Sequence, residues 1–172
     1  MTVTHADLVR LWGESQIRTF PLEHLEGLGL PESARVGLGE IGVPDHTDVL
    51  FIATALEPVK LRGVGDAICF GRAWHEEFDL CVATSDGRVY ASHRKAPEVT
   101  FVNTDLLRYL EFLVRAATMY RLWDEAAQGG PAESEGYLDE LERWRRELTE
   151  VDPAALVEGA WWTGVWDDLK LI

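Results

Sequence analysis

The chain has 172 residues, of which 47% are hydrophobic, and its 30 acidic and 16 basic residues give a formal net charge of −14. This length and hydrophobic fraction suit one globular domain with a sizeable core. The acidic excess disfavours direct binding to nucleic acid or to an anionic membrane, because both reward clustered lysine and arginine. It suits a protein with a basic partner, although acidity also serves solubility alone.

The N-terminal residues show helix signals but no targeting segment. Thr4 and Asp7 form a predicted capping box, and Gly13 ends the short helix that follows. No basic region followed by an apolar run precedes it, and the longest apolar stretch, 49–56, is too short to cross a bilayer. We therefore expect a cytoplasmic protein without a membrane segment.

A second helix and a first strand are predicted before residue 57. Pro31 has the fixed φ of a helix start, which predicts a helix over Glu32–Glu40. The apolar, partly β-branched run Val49–Ala53 predicts a strand. Residues 57–66 contain Pro58, Gly63 and Gly65 and are expected to form a loop or an irregular edge.

Four β-rich runs then follow in close succession. They are Ala67–Gly71, Phe78–Ala83, Arg88–His93 and Val99–Val102. The turn at residues 84–87 ends in a glycine that tolerates positive φ, which predicts a hairpin between the second and third runs. Cys69 and Cys81 lie inside two of these runs and are too few for a disulfide framework.

A long amphipathic helix is predicted after the strands, with Asn103 or Thr104 as its cap and Asp105 in its first turn. It ends at residues 128–131. Its expected core-facing stripe, at spacings of three and four, consists of Leu106, Leu110, Leu113, Ala117, Tyr120 and Trp123.

The segment from Asp124 to Asp152 carries ten acidic residues and three arginines, a net charge of −7. It is predicted as a charged amphipathic helix capped by Ser134, with i,i+4 pairs Glu142–Arg146 and Arg143–Glu147. The apolar residues that keep helical spacing are Leu138, Leu141, Trp144, Leu148 and Val151. Asp152, as N-cap, and Pro153 are predicted to begin a last helix that carries Leu156, Trp161, Trp162, Val165 and Trp166.

No arrangement of residues predicts catalysis, cofactor binding or a metal site. The serines lack a nucleophile elbow, and no phosphate-binding loop or dinucleotide fingerprint occurs. Two segments dense in ligand types, 45–48 and 75–77, do not match a zinc motif and are expected to be solvated loops. An enzyme would require a pocket that brings His75, Asp79 or Asp48 into contact.

Two surfaces are candidates for contact with a protein partner. The segment 74–77 joins two predicted strands and places an aromatic residue beside acids, which suits a basic partner. The alternative is that Trp74 folds back over the sheet edge. The second surface is the acidic helix face between Glu133 and Glu150. The candidate partner-binding residues are Trp74, His75, Glu76, Glu77, Glu135, Asp139 and Glu142.

Three motifs resemble the SUKH superfamily, specifically its fourth group of bacterial immunity proteins. Residues 29–31 (GLP) and 40–44 (EIGVP) resemble the entry helix of the family. Residues 79–82 and 86–90 (DLCV and DGRVY) resemble its central hairpin, and residues 101–104 (FVNT) resemble the start of its long helix. The closing segment from Asp152 is also similar. The resemblance implies a single domain over 1–172, with a core at about 20–123 and a helical C-terminal extension at about 132–170.

The resemblance implies an α+β fold in which an antiparallel sheet of about four to six strands is flanked by helices. It also implies a cytoplasmic, non-enzymatic immunity protein that binds and neutralises a polymorphic toxin, commonly a nuclease or a nucleic-acid deaminase. The expected partner is a cognate, basic protein toxin, with no nucleic acid, membrane, metal or cofactor. The alternative is a regulatory or scaffold module of the same fold that binds an endogenous protein.

Overall fold

The described residues form a six-stranded antiparallel sheet, a two-stranded sheet and six α-helices, as the α+β prediction requires. The computed structural model describes residues 3–47, 50–129 and 131–170, without the side chains of residues 126–135. In spatial order the strands of the main sheet are β3 His46–Thr47, β4 Phe51–Leu61, β5 Gly65–Ala73, β6 Phe78–Ala83, β7 Val89–His93 and β8 Val99–Asn103. Strands β1 Ile17–Arg18 and β2 Val43–Pro44 form a separate pair.

The helices lie before and after the main sheet in sequence. They are α1 His5–Trp12, α2 Leu22–Glu26, α3 Glu32–Val36, α4 Leu106–Gly129, α5 Pro131–Val151 and α6 Trp161–Leu169. Short 3₁₀ turns cover Glu14–Gln16 and Pro153–Leu156. The predicted helix at Glu32–Glu40 consists of α3 followed by a π-helical turn over Gly37–Ile41.

The core lies between one face of the sheet and α4. Phe51 of β4, Phe70 of β5 and Tyr109 of α4 form an aromatic triangle with ring centroids 5.6–6.1 Å apart. Trp162 of α6 extends this cluster, with its ring 6.0 Å from that of Tyr109. On the opposite sheet face, a smaller buried cluster of Leu61, Ala67, Cys69 and Cys81 involves only strand and hairpin residues.

A β-bulge in β5 allows the sheet to fit this core. Cys69 pairs with Cys81 of β6, but the next paired residue of β5 is Gly71, which pairs with Leu80. The extra residue, Phe70, is fully buried in the core. A Cβ atom at Gly71 would lie 2.1 Å from the ring of Phe51, so the close approach of these strands requires glycine there.

Several local predictions are confirmed. Thr4 and Asp7 form both hydrogen bonds of a capping box, and α1 ends at Gly13. The predicted hairpin is present as β6 and β7. Strand β4 begins at Phe51 and Val49 lies outside the described residues. Residues 57–66 were predicted as a loop or an irregular edge. The loop alternative is wrong for 57–61, where β4 continues to Leu61 and pairs with β5 after a register shift, and residues 62–64 form the turn before β5.

The predicted cap of α4 is wrong. The backbone N–H of Arg108 donates to the side chain of Asp105 at 2.9 Å, so Asp105 is the N-cap residue. Asn103 and Thr104 instead bind Asp152, which accepts hydrogen bonds from Asn103 Nδ2, Thr104 N and Thr104 Oγ1 at 2.9–3.2 Å. Trp162 Nε1 donates to Asn103 Oδ1 at 2.7 Å. We call Asn103, Thr104, Asp152 and Trp162 the buried junction.

The prediction of one C-terminal helix from Asp152 is also wrong. The side chain of Asp152 does not cap the 3₁₀ turn at Pro153–Leu156, because the buried junction engages it. A loop containing Gly159 (φ 78°) separates this turn from α6. Ser134 is not a cap, since α5 already begins at Pro131.

The burial of α4 and α5 differs from the predicted stripes. Helix α4 contacts the sheet end on one side and α1, α5 and α6 on others, so its buried surface is wider than one stripe. Its buried apolar residues are Leu106, Tyr109, Leu110, Phe112, Leu113, Ala116 and Met119, whereas Ala117, Tyr120 and Trp123 are half-buried. In α5, Tyr137 is buried and its neighbour Leu138 is 42% exposed.

Candidate partner-binding surface

The β5–β6 loop, residues 74–77, has an unusual backbone. Trp74, His75 and Glu76 have φ values of 50°, 53° and 64°, in the left-handed region that side chains with a Cβ atom disfavour. The loop is closed by a hydrogen bond from Glu77 N to Trp74 O at 3.1 Å. Three consecutive residues of this kind store conformational strain, and such strain is concentrated at functional sites in proteins.

Two arginines hold this loop in place. Arg72 in β5 binds Glu76 of the loop at 2.8 Å and Asp79 of β6 at 3.3 Å. The hydrogen bond with Glu76 raises the pKa of Arg72. Arg94 lies 3.6 Å from Asp79, and its backbone N–H donates to Glu77 O at 2.9 Å. These contacts fix the strained conformation from both sides.

Trp74 packs against the rest of the protein. Its ring centroid lies 6.2 Å from that of Trp161, at the start of α6, and Trp161 lies 5.1 Å from Phe78. Trp74 is half-buried, as expected if it folds back over the sheet edge, whereas His75, Glu76 and Glu77 are exposed. The loop therefore presents one imidazole and two carboxylates to solvent beside the edge of an aromatic cluster.

The acidic face of α5 is exposed and partly paired. Asp139 and Glu142 are exposed, and Glu142 lies 3.4 Å from Lys170 rather than pairing with Arg146 as predicted. The predicted Arg143–Glu147 pair is confirmed at 3.7 Å. The side chain of Glu135 lies outside the described residues. Exposed ion pairs of this kind contribute little to stability, so breaking them to bind a partner would cost the fold little.

Helix α6 connects the loop to α5, which the sequence analysis missed. Its first residue, Trp161, contacts the loop. Its Asp167 lines a groove of about 550 Å³ together with Arg145 of α5 and Glu158 of the loop before α6. Asp167, Asp168 and Glu158 are exposed, and Val157 beside them is 57% exposed. We call the exposed acids of the β5–β6 loop, α5, α6 and Glu158 the acidic surface. The acidic residues at 158, 167 and 168 could have indicated this surface. Helical spacing alone, however, does not show that they lie near α5.

In the described part of the chain, the acids and histidines considered for a metal or catalytic site are exposed or bound to other side chains. No group of three or more His, Cys, Asp or Glu residues lies close enough to hold a metal ion there. Asp79 is paired with Arg72 and Arg94. The rings of His93 and Phe78 meet edge to face with centroids 4.9 Å apart, and Asp48 lies outside the described residues. Within the same residues, no helix is long and apolar enough to cross a membrane.

An antiparallel sheet packed against a long helix, with exposed acids on its C-terminal helices, defines a protein of the α+β class. The family model of the SUKH-4 immunity proteins matches residues 3–168, nearly the whole chain. The protein therefore belongs to the SUKH-4 immunity protein family, as its motifs predicted. Neither the curated proteins nor the solved structures contain a significant match.

Proposed function

We propose that this protein neutralises a cognate toxin by direct contact and that the toxin is a basic protein acting on nucleic acid, such as a nuclease or a deaminase. Membership of the SUKH-4 immunity protein family implies toxin immunity in general. The contact surface and the class of toxin are further parts of our proposal, beyond what family membership implies. In this proposal the protein acts in the cytoplasm and performs no catalysis.

The acidic surface is the observation that favours this class of toxin. Proteins that act on nucleic acid carry basic surfaces that bind phosphate groups. An acidic partner can occupy such a surface, and opposite charges accelerate association. In this proposal, exposed Glu77, Asp139, Glu142 and Asp167 face the toxin. Half-buried Trp161 contacts Trp74 of the β5–β6 loop.

The test is binding and protection with the toxin encoded by the neighbouring open reading frame. The wild-type protein is expected to bind it and to rescue cells that express it. Two double variants, Glu77→Lys/Asp167→Lys and Asp139→Lys/Glu142→Lys, should slow association by about tenfold or more and weaken its dependence on salt.

The control for the change in net charge is Glu23→Lys/Glu26→Lys, which reverses the charge of two exposed acids of α2. This variant should bind the toxin nearly as the wild type does. Equal loss in all three double variants would reject the acidic surface as the contact site. Absence of both binding and protection would reject the toxin partner and favour a regulatory module that binds an endogenous protein.

A further inference from the structure

Cys69 and Cys81 lie directly opposite each other in β5 and β6. Both thiols point to the sheet face opposite α4, where Cys69 is 7% and Cys81 1% exposed. Directly opposed residues of antiparallel strands have Cα atoms about 4.5–5.5 Å apart. Disulfide bonds span Cα separations of about 4.4–6.8 Å, so the backbone already places this pair within bonding reach.

The two thiols differ in their surroundings, which gives them different chemical roles. Hydrogen bonding from the Cys81 thiol lowers the pKa of Cys69, whereas the same contact, together with burial, raises the pKa of Cys81. Cys69 Sγ also lies 4.0 Å from the hydroxyl of Thr54. Because the thiolate is the nucleophile, Cys69 is the sulfur that reacts first, and it is also the more exposed one.

We propose that Cys69 and Cys81 form a dithiol modification site that a peroxide closes to an intramolecular disulfide. The Cys69 thiolate attacks one peroxide oxygen, the O–O bond breaks, and Cys69 becomes a sulfenic acid as hydroxide leaves. The sulfur of Cys81 then attacks the sulfur of Cys69, the S–O bond breaks, and water leaves. The two thiols together lose two electrons and two protons, and hydrogen peroxide is reduced to two molecules of water.

The disulfide would act on the hairpin that carries the β5–β6 loop. Residues 69 and 81 stand at the two sides of this hairpin, between which Trp74–Glu77 form the loop. The Cβ atoms of opposed residues are about 4.5–5.5 Å apart, slightly wider than the roughly 3.5–4.5 Å of a disulfide. The strands must close a little, which makes the bond easy to reduce and the modification reversible. This site does not depend on the proposed toxin partner.

The test treats the full-length protein with hydrogen peroxide and measures its intact mass and its peptides without reduction. We expect a loss of two hydrogens, a cross-linked peptide pair joining Cys69 to Cys81, and recovery of both thiols with dithiothreitol. Cys81→Ser should stop at a sulfenic acid on Cys69 that dimedone traps. Cys69→Ser should slow oxidation of the remaining thiol by about tenfold or more, because Cys81 is buried and protonated.

Three results would overturn the proposal. In the first, both thiols of the peroxide-treated protein can still be alkylated after it is unfolded. In the second, disulfides form only between molecules. In the third, Cys81 is oxidised at the same rate in Cys69→Ser as in the wild type. If Cys81→Ser fails to fold, the peptide map of the wild type and the Cys69→Ser rate still decide the question. Circular dichroism before and after oxidation separates local closure from unfolding.

Discussion

The buried junction and the β5–β6 loop are two polar regions with opposite effects on the stability of the protein. At the junction, Asp152 and Asn103 are buried and hydrogen-bonded, and they tie β8, α4, α5 and α6 together. At the loop, contacts of Arg72 and Arg94 hold Trp74–Glu76 in a disfavoured backbone conformation. The first arrangement stabilises the fold, whereas the second maintains a shape that the fold alone would not choose.

The largest effect is expected at the junction from Asp152→Ala. This change leaves the buried Asn103 Nδ2 and Thr104 N without their acceptor, and such losses should lower the free energy of unfolding by about 3 kcal/mol. Urea denaturation measures it. The matched control, Asp167→Ala at an exposed position, should change stability by less than about 0.5 kcal/mol. A similar small effect of Asp152→Ala would mean that the junction does not hold the C-terminal elements.

The bulge beneath the loop should be nearly as sensitive. Gly71→Ala places a Cβ atom 2.1 Å from the buried ring of Phe51, and the resulting overpacking should cost about 2–3 kcal/mol. Gly164→Ala is the control, since a Cβ atom in that position of α6 meets nothing within 4 Å. It should stabilise the protein by up to about 1 kcal/mol. Thermal and urea unfolding of the two variants should therefore shift in opposite directions.

Strain in the loop is tested with His75→Gly. Glycine tolerates a φ of 53°, so this variant should be more stable than the wild type by about 0.5–1 kcal/mol. Lys95→Gly in the β7–β8 turn has no left-handed strain to relieve, and it should lose a few tenths to about 1 kcal/mol. If His75→Gly gains stability while toxin binding weakens, the strain serves binding. A loss of stability would instead show that His75 makes a contact that outweighs the strain.

The smallest effect at neutral pH is expected from Tyr109→Phe. The Tyr109 hydroxyl is buried and has no hydrogen-bond partner among the described residues, so its removal should change stability by less than about 0.5 kcal/mol at pH 7. Tyr137→Phe is the comparison and should cost about 1 kcal/mol, because the Tyr137 hydroxyl donates to Leu169 O at 2.8 Å.

The same tyrosines predict a loss of stability in alkali. Burial raises the pKa of Tyr109 and Tyr137 and, with the charge of Asp168, raises the pKa of Tyr120 to about 12. The unfolded chain loses these protons near pH 10, whereas the folded chain keeps them. The contribution of these tyrosines to stability is thus constant below about pH 10 and falls as the pH rises above it. Tyr109→Phe should reduce this fall, as denaturation at pH 9 and 11 would show.

The candidate surface was only partly accessible to sequence reasoning. Segment 74–77 was recognisable because an aromatic residue and acids join two β-rich runs. Its left-handed backbone is held by Arg72 of β5 and Arg94 in the β7–β8 turn, which are separated in the chain. The contribution of α6 was missed because Trp74 and Trp161 are 87 positions apart in the chain and meet only through the packing of α6 on the sheet end. Leu138 was misplaced because helical spacing does not determine which of two adjacent residues, Tyr137 or Leu138, faces the core.

Local sequence signals specify most of the helices and strands and carry the motifs of the family. Hydrogen bonds within a few residues specify the Thr4–Asp7 capping box, and a positive-φ glycine at 87 specifies the turn before β7. The alternation of apolar residues specifies the strands. The roles of Asp152, of Gly71 and of the facing pair Cys69 and Cys81 follow from long-range packing. Their partners are brought near by strand register and helix packing, and these depend on contacts that no local pattern records.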